Sequence, residues 1–286
     1  MTRTIYINGA YVPESEAKIS VMDRGFMFGD AIYEVTAMLD GRLIDNDLHL
    51  ARFKRSVGEI GIPLPLPIED IKQVQIELVR RNRMTDGTIY LQASRGVQER
   101  NFYPAEGLAP TFVAFTQAAK LDGTPKQIDG VEVALLPDPR WNRRDIKTVM
   151  LLGQVLVKCQ ARAEGFGDVW MHEDGAVTEG GSSTAFIITR DGAVVTRDNS
   201  HAILPGCTRK AVLELAEENG LKIEERPIRL DEIAGAAEAF LTSASSFVQP
   251  VTRVGDHVIG DGKPGPLTRR LQEIYLAAAR SGDKII

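Results

Sequence analysis

Cysteine and histidine are scarce in this chain. There are two cysteines, Cys159 in a helix-like stretch and Cys207 in a loop, and four histidines, His49, His172, His201 and His257. No CxxC or Cys/His cluster is formed, so neither a disulfide framework nor a metal site is expected. The histidines read as surface or hydrogen-bonded residues. No apolar run approaches the length that crosses a bilayer, and residues 1–7 pass straight into an alternating strand pattern without a signal core. A membrane partner is therefore not expected, and a reducing cytoplasm is. The glycine-rich nucleotide signatures GxGxxG and the P-loop are missing as well. A net charge of −5, with arginines scattered rather than clustered, argues against a nucleic acid partner.

What remains is the composition of a globular enzyme: 286 residues, 43% hydrophobic and 26% charged, enough for two domains of ordinary size. Residues 4–7 and 10–12 form a hairpin about Asn8-Gly9, a pair that tolerates positive φ. A turn at residues 22–26 leads to a strand over 31–39 and a second hairpin at Asp40-Gly41. The spacing of Leu50, Phe53, Val57 and Ile60 predicts a helix over 49–60, and Ile71, Val74, Ile76 and Leu78 a second one from Pro67 to about Asn82. Strands over 87–94 and 111–117 close this part. Residues 118–130 turn polar and lose periodicity around Asp122-Gly123-Thr124-Pro125-Lys126. The division expected is a small N-terminal domain over 1–118, a linker over 119–130 and a larger domain over 131–286. The latter holds a strand at 131–136, a helix over about 150–164, short strands near 169, 176 and 185–189, a helix over 208–219 capped at Gly220, and a last helix over 266–281. Strands segregated from helices, with no regular βαβ alternation, indicate an α+β protein with antiparallel or mixed sheets.

Two segments carry chemistry. Lys147 stands in Asp145-Ile146-Lys147-Thr148, and Glu179 in Thr178-Glu179-Gly180-Gly181-Ser182-Ser183-Thr184. A lysine amine can hold an aldehyde cofactor as a Schiff base and then move protons, while a glutamate can keep a pyridine ring protonated as an electron sink. Taken singly, the lysine reads as a solvated helix-start residue and the Glu-Gly pair as a turn. Their combination points to pyridoxal phosphate. The cofactor's phosphate needs a positive fork and several backbone donors. Arg52 in the first turns of a helix, and Leu204-Pro205-Gly206-Cys207-Thr208-Arg209 at the start of another, supply both kinds. The hydroxyl run Thr242-Ser243-Ala244-Ser245-Ser246 could close the cup.

These segments, together with Arg24-Gly25-Phe26-Met27-Phe28-Gly29-Asp30-Ala31-Ile32-Tyr33-Glu34-Val35, follow one another in an order that resembles the fold type IV pyridoxal-phosphate aminotransferases. The chain is most similar to the D-amino acid aminotransferase subgroup, through residues 146–153 and Glu179-Gly180-Gly181-Ser182-Ser183. The resemblance implies a two-domain architecture, a small N-terminal α/β domain and a larger domain with a mixed sheet or barrel. It also implies pyridoxal 5'-phosphate, amino acid and oxo acid substrates, and a homodimer. Lys147 would form the imine and carry the proton, with Glu34 supporting it, and Glu179 would bond the pyridine nitrogen. Arg52, Cys207, Thr208, Ser243 and Ala244 would hold the phosphate. Leu204 would pack on the ring, and Ser182, Ser183 and Thr184 would contact cofactor or substrate, Thr184 standing where the family has asparagine.

D-specific members bind the substrate carboxylate with a tyrosine, an arginine and a histidine. Tyr33 and Arg100 match the first two, but Phe102 falls where the histidine would be. The lost donor weakens a carboxylate trap by roughly 1–3 kcal/mol. The expected activity is amino transfer between a D-amino acid, such as D-alanine or D-glutamate, and a 2-oxo acid such as pyruvate or 2-oxoglutarate. A branched-chain L-aminotransferase, an (R)-amine transaminase and an aminodeoxychorismate lyase stay open as alternatives, as do, from a different class, a non-enzymatic pyridoxal-phosphate carrier and an apo relative retained as an interaction module.

Overall fold

In a computed structural model of the chain, residues 2–286 are described, and they divide into two compact units. The first takes the chain up to Lys120 together with Ile146–Met150 and Gly282–Ile286; the second takes Leu121–Asp145 and Leu151–Ser281.

The first unit is built on β1 (Thr4–Ile7), β2 (Ala10–Pro13), the short helix α1 (Arg24–Phe28), β3 (Ala31–Leu39), β4 (Arg42–Ile44), α2 (Asn46–Glu59), α3 (Ile68–Asn82), β5 (Gly87–Ser94) and β6 (Thr111–Ala118). The six strands make one antiparallel sheet in the order β2-β1-β6-β5-β3-β4. Asn8 at φ 45° and Gly9 at φ 95° make the tight turn expected of that pair. Leu50, Phe53 and Val57 of α2, and Ile71, Val74 and Leu78 of α3, bury the stripes that their spacing foretold, against Met38, Ile89, Leu91 and Phe112 of the sheet. Of the residues read as a turn at 22–26, Met22 lies in one, while Arg24–Phe26 open α1, started by the Asp23 carboxylate on the Gly25 N–H and ended by Gly29 at φ 69°.

A detached segment completes this unit. Ile146 joins the core. The Tyr33 N–H donates to the Lys147 carbonyl at 2.9 Å, and the Val149 N–H donates to the Ala31 carbonyl at 3.1 Å. Residues 147–149 thus pair with the first half of β3, along the edge that β4 leaves open because it pairs only with residues 37–39.

The second unit contains α4 (Pro125–Asp129), β7 (Val131–Pro137), α5 (Leu152–Ala163), β8 (Asp168–Glu173), β9 (Ala176–Gly180), β10 (Thr184–Ile188), β11 (Val194–Thr196), α6 (Cys207–Glu218), β12 (Ile223–Glu225), β13 (Ile228–Arg229), β14 (Glu238–Ser243), β15 (Phe247–Val254), β16 (His257–Val258) and α7 (Pro266–Ser281). Its ten-stranded sheet is mixed: β7 runs parallel to both β15 and β8, β11 parallel to β12, and the remaining pairs are antiparallel. The stretch 119–130, read as a linker, carries α4, started by a capping box between Thr124 and Gln127. β15 has no clean sequence signature because Pro250, uncommon in a paired strand, interrupts it. That residue stands next to a register shift at Val251/Arg253. No helix among the described residues is long and apolar enough to cross a membrane.

Candidate active site

Lys147 is carried by the segment that pairs with β3. Its Nζ lies 4.4 Å from the centre of the Tyr33 ring. Among the described residues the Lys147 side chain forms no ion pair or hydrogen bond, so its amine is tied to no carboxylate. Tyr33 stacks on Tyr90 (centroids 5.6 Å apart) and Tyr90 on Phe115 (4.8 Å), a ladder of half-buried rings across β3, β5 and β6.

Side chains alternate along a strand, so Glu34 points to the face opposite Tyr33. It is wholly buried there against α2. Arg52 clasps it with two bonds, Nε to Oε2 at 2.9 Å and Nη2 to Oε1 at 2.6 Å, and His49 Nδ1 lies 2.9 Å from Oε1. The expected support of Lys147 by Glu34 is therefore not what the geometry gives, for the two side chains belong to opposite faces of β3. Burial alone pushes the Glu34 carboxyl up, but Arg52 and then His49 outweigh it and hold the group well below its ordinary value of 4.5. A carboxyl lowered on folding contributes stability above its unfolded value and loses it as pH falls through the folded one. Glu34→Gln in the cofactor-free protein should thus cost about 3–5 kcal/mol at neutral pH, by stranding buried Arg52. Urea denaturation should show the gap to the parent narrowing only below the ordinary value of 4.5; a gap independent of pH would contradict the assignment.

Arg100 and Phe102 belong to the connection between β5 and β6, and both are exposed, Phe102 at 74%. The Arg100 guanidinium lies over the rings of Phe28 (5.4 Å) and Phe102 (5.6 Å), whose own centroids are 5.5 Å apart.

In the second unit Glu179, near the end of β9, is buried. Arg140 Nη1 donates to its Oε1 at 2.5 Å, and the Leu204 N–H donates to its Oε2 at 3.2 Å. Arg140 is itself clasped by Asp138 through Nε (2.9 Å) and Nη2 (2.6 Å), and Asp138 also accepts from the Thr178 hydroxyl at 2.6 Å. Burial pushes the Glu179 carboxyl up, and the guanidinium of Arg140 and the N–H of Leu204 push back.

Close by in sequence and strand register lies an open donor cluster. Thr184 on β10 pairs with Thr242 on β14, so their side chains share a face. Helix α6 begins at Gly206 with no side-chain cap, and a Cβ at Gly206 would come within 2.8 Å of the Thr184 hydroxyl. Cys207 and Thr208, in its first turn, are buried. The hydroxyls of Ser183 and Thr242 are buried without a hydrogen-bond partner among the described residues. Uncapped amides and orphaned hydroxyls in one place make a receptor for an anion. Ser243 turns inward on its own loop, its Oγ 2.7 Å from that of Ser246, and Ala244 offers only backbone.

Sequence reasoning grouped Lys147, Tyr33 and Arg52, which the first unit contains, and Glu179, Ser183, Thr184, Leu204, Cys207, Thr208, Ser243 and Ala244, which belong to the second. It missed Asp138, Arg140 and His49. The signal for the first two was the charge-rich run that follows β7, Asp138-Pro139-Arg140, in which each charge has an opposite neighbour two positions away.

Comparison with known proteins gives the family. The model of amino-transferase class IV matches residues 31–254. The D-alanine aminotransferase of Staphylococcus haemolyticus is 38% identical over 271 residues, 94% of this chain and 95% of that protein, and the D-alanine aminotransferase of Bacillus licheniformis is 38% identical over 268 residues, 94% of each. Among solved structures, the branched-chain amino acid aminotransferase of Escherichia coli superposes with a TM-score of 0.90 at 22% identity, covering 97% of this chain and 94% of that one, a likeness of fold. The branched-chain enzyme of Thermobaculum terrenum, in its PLP form, does so at 0.88 and 25% identity, covering 99% and 95%. With the lysine, the buried glutamate and the anion receptor all on matched sequence, the chain belongs to amino-transferase class IV, the fold type IV aminotransferases.

Proposed function

We propose that this protein is a pyridoxal 5'-phosphate-dependent transaminase that passes an amino group between a D-amino acid and a 2-oxo acid. The observation that carries the reading is the Lys147 amine, held beside Tyr33 and tied to no acid. The cofactor supplies an aldehyde that receives the amino group and a protonated pyridine ring that draws electrons from the substrate carbon. Residues of this chain fit it. Lys147 would hold the aldehyde through Nζ and would serve as the proton carrier at the donor's α-carbon. Glu179, kept in place by Arg140 and the Leu204 N–H, would accept from the pyridine nitrogen. The uncapped start of α6 at Cys207 and Thr208, with the hydroxyls of Ser183, Thr184 and Ser243 and the backbone of Ala244, would receive the phosphate; Arg52, which the family resemblance gives to the same phosphate, spends Nε and Nη2 on Glu34, on the face of β3 away from Tyr33. Leu204 would pack on the ring.

Handedness rests on the carboxylate. Tyr33 and Arg100 are our assignment for its capture, with Phe102 replacing a donor on the same loop, and the 38% identity to D-alanine aminotransferases supports it. Donors should be compared against pyruvate and 2-oxoglutarate. D-alanine or D-glutamate should be preferred to every L-amino acid, with (R)-1-phenylethylamine a slower donor because the missing histidine weakens the demand for a carboxylate. L-leucine or L-isoleucine outperforming every D-amino acid would move the enzyme to the branched-chain class.

The working form we propose is a homodimer. Val21, Phe26, Val97, Phe102 and Tyr103 expose large apolar side chains in the first unit, the kind of surface that marks a protein contact; a solution mass of one chain would remove the proposal. Two free cysteines suit a cytoplasmic setting.

A further inference from the structure

The connection from β5 to β6 lies on the surface, yet it is tied down by charge. Arg24, the first residue of α1, is buried, and its guanidinium reaches three ways. Nε donates to Asp30 Oδ2 at 2.8 Å, Nη1 to the Asn101 carbonyl at 2.5 Å, and Nη2 to the Phe102 carbonyl at 3.2 Å. Asp30 is gripped from its other side by Arg95, through Nε at 2.8 Å and Nη2 at 3.0 Å, while Arg95 also donates to the carbonyls of Ile60 and Gly61. The Gln98 side chain closes the loop on itself, accepting from the Ala105 N–H at 2.8 Å and donating to the Tyr103 carbonyl at 3.1 Å. Phe28, the last residue of α1, has the Arg24 guanidinium 4.9 Å from its ring centre and that of Arg100 at 5.4 Å.

Burying an arginine is unfavourable unless all its donors are satisfied. Each of the three Arg24 nitrogens meets an acceptor, one carboxylate and two carbonyls, and both carbonyls belong to the residues that directly follow Arg100. Of the residues in this network only Ile60 packs its side chain against the hydrophobic core of the unit, and it enters the network through its carbonyl, so the arrangement orders the loop rather than the interior. A loop ordered in advance has less conformational freedom to lose when it captures a ligand.

We propose that Arg24, held by Asp30, is a positioning residue for donor recognition: it sets the backbone of Asn101 and Phe102 and thereby aims Arg100 at the carboxylate of the amino donor. This rests on Arg100 being the carboxylate-binding residue. The test uses the holoenzyme with Arg24→Lys, Arg24→Gln, Gln98→Ala and Arg100→Ala. Arg24→Lys keeps the charge beside Asp30 but loses the fork. It should raise the KM for D-alanine about tenfold, as expected for a lost charged hydrogen bond, with kcat within about twofold, and should speed amide exchange over residues 96–105 at least about tenfold. Arg24→Gln should be worse on both measures and Gln98→Ala milder. A merely structural role would lower the active fraction and leave KM alone. Unchanged loop exchange in Arg24→Lys, or a fall in kcat at constant KM, overturns the proposal; if Arg24→Lys does not fold, Gln98→Ala decides by the same criteria. If Arg100→Ala raises the KM but Arg24→Lys does not, the role of Arg24 falls and the assignment of Arg100 stands. If neither moves it, the assignment of Arg100 falls, and donor recognition by this loop with it.

Discussion

Lys147→Ala is expected to abolish transamination, with a fall of at least about 10²–10⁴-fold, the share that a positioned proton carrier contributes, and to remove the visible absorbance of the bound cofactor. The reason is geometric. The segment 147–149 hangs on β3 through the Tyr33 and Val149 amides, and Ile146 anchors it in the core, so removing the side chain leaves the backbone where it was while deleting the amine. No neighbouring residue can stand in for it, because Tyr33, Tyr90 and Phe115, whose stacking places them on this face of β3, are aromatic rings without an amine. The cofactor-free variant should denature at the same urea concentration as the parent. Turnover at the parental rate, or an unchanged absorbance band, would show that another residue holds the aldehyde.

A loss nearly as large is expected from either end of the Arg140–Glu179 pair. Glu179→Gln should still bind cofactor, because the anion receptor at α6 is intact, but should transfer the amino group about 10²–10³-fold more slowly, the usual cost of deleting one preorganised electrostatic contact. Arg140→Met should do much the same without touching Glu179. Burial pushes that carboxyl up, and Arg140 is the first group opposing it. With the guanidinium gone, a protonated Glu179 can no longer accept from the pyridine nitrogen. Asp138, released from its clasp, adds negative charge nearby and pushes the same way. Half-reaction rates with D-alanine across pH would separate the two variants: Arg140→Met should recover as pH rises and Glu179 ionises, whereas Glu179→Gln should stay slow throughout. Parity of either variant with the parent would mean that the pyridine partner lies elsewhere.

Elements whose apolar residues recur at a regular period were legible before any coordinates. The stripes Leu50-Phe53-Val57 and Ile71-Val74-Leu78, the strands of the first sheet and the last helix fall where spacing alone puts them, because local burial decides them. The short strands β11, β12, β13 and β16 have two or three residues each, too few for a period to register. β15 was hidden by Pro250. At the site, Lys147 and Glu179 were visible through the chemistry of their types and through family resemblance. The partners of Glu34 and Glu179 were not, for a bidentate arginine bond joins residues such as Glu34 and Arg52 that lie 18 positions apart, and nothing in the spacing of charges singles it out. Alternation along β3 could have warned that Glu34 faces away from the lysine, since Tyr33 and Glu34 are neighbours.

The five-residue segment bearing Lys147 also sets a schedule for the growing chain. When Lys120 has emerged from the ribosome, the first sheet has all six of its strands, but half of one β3 edge is bare and the core lacks Ile146 until the residues behind it follow. An unpaired strand edge is a place where a foreign strand can add, so the nascent unit is exposed to mispairing until residues 121–145 have been made and the chain comes back. The lysine to which we assign the chemistry thus arrives with the piece that seals its own sheet. A released fragment ending at Lys120 should therefore be stickier than one ending at Met150.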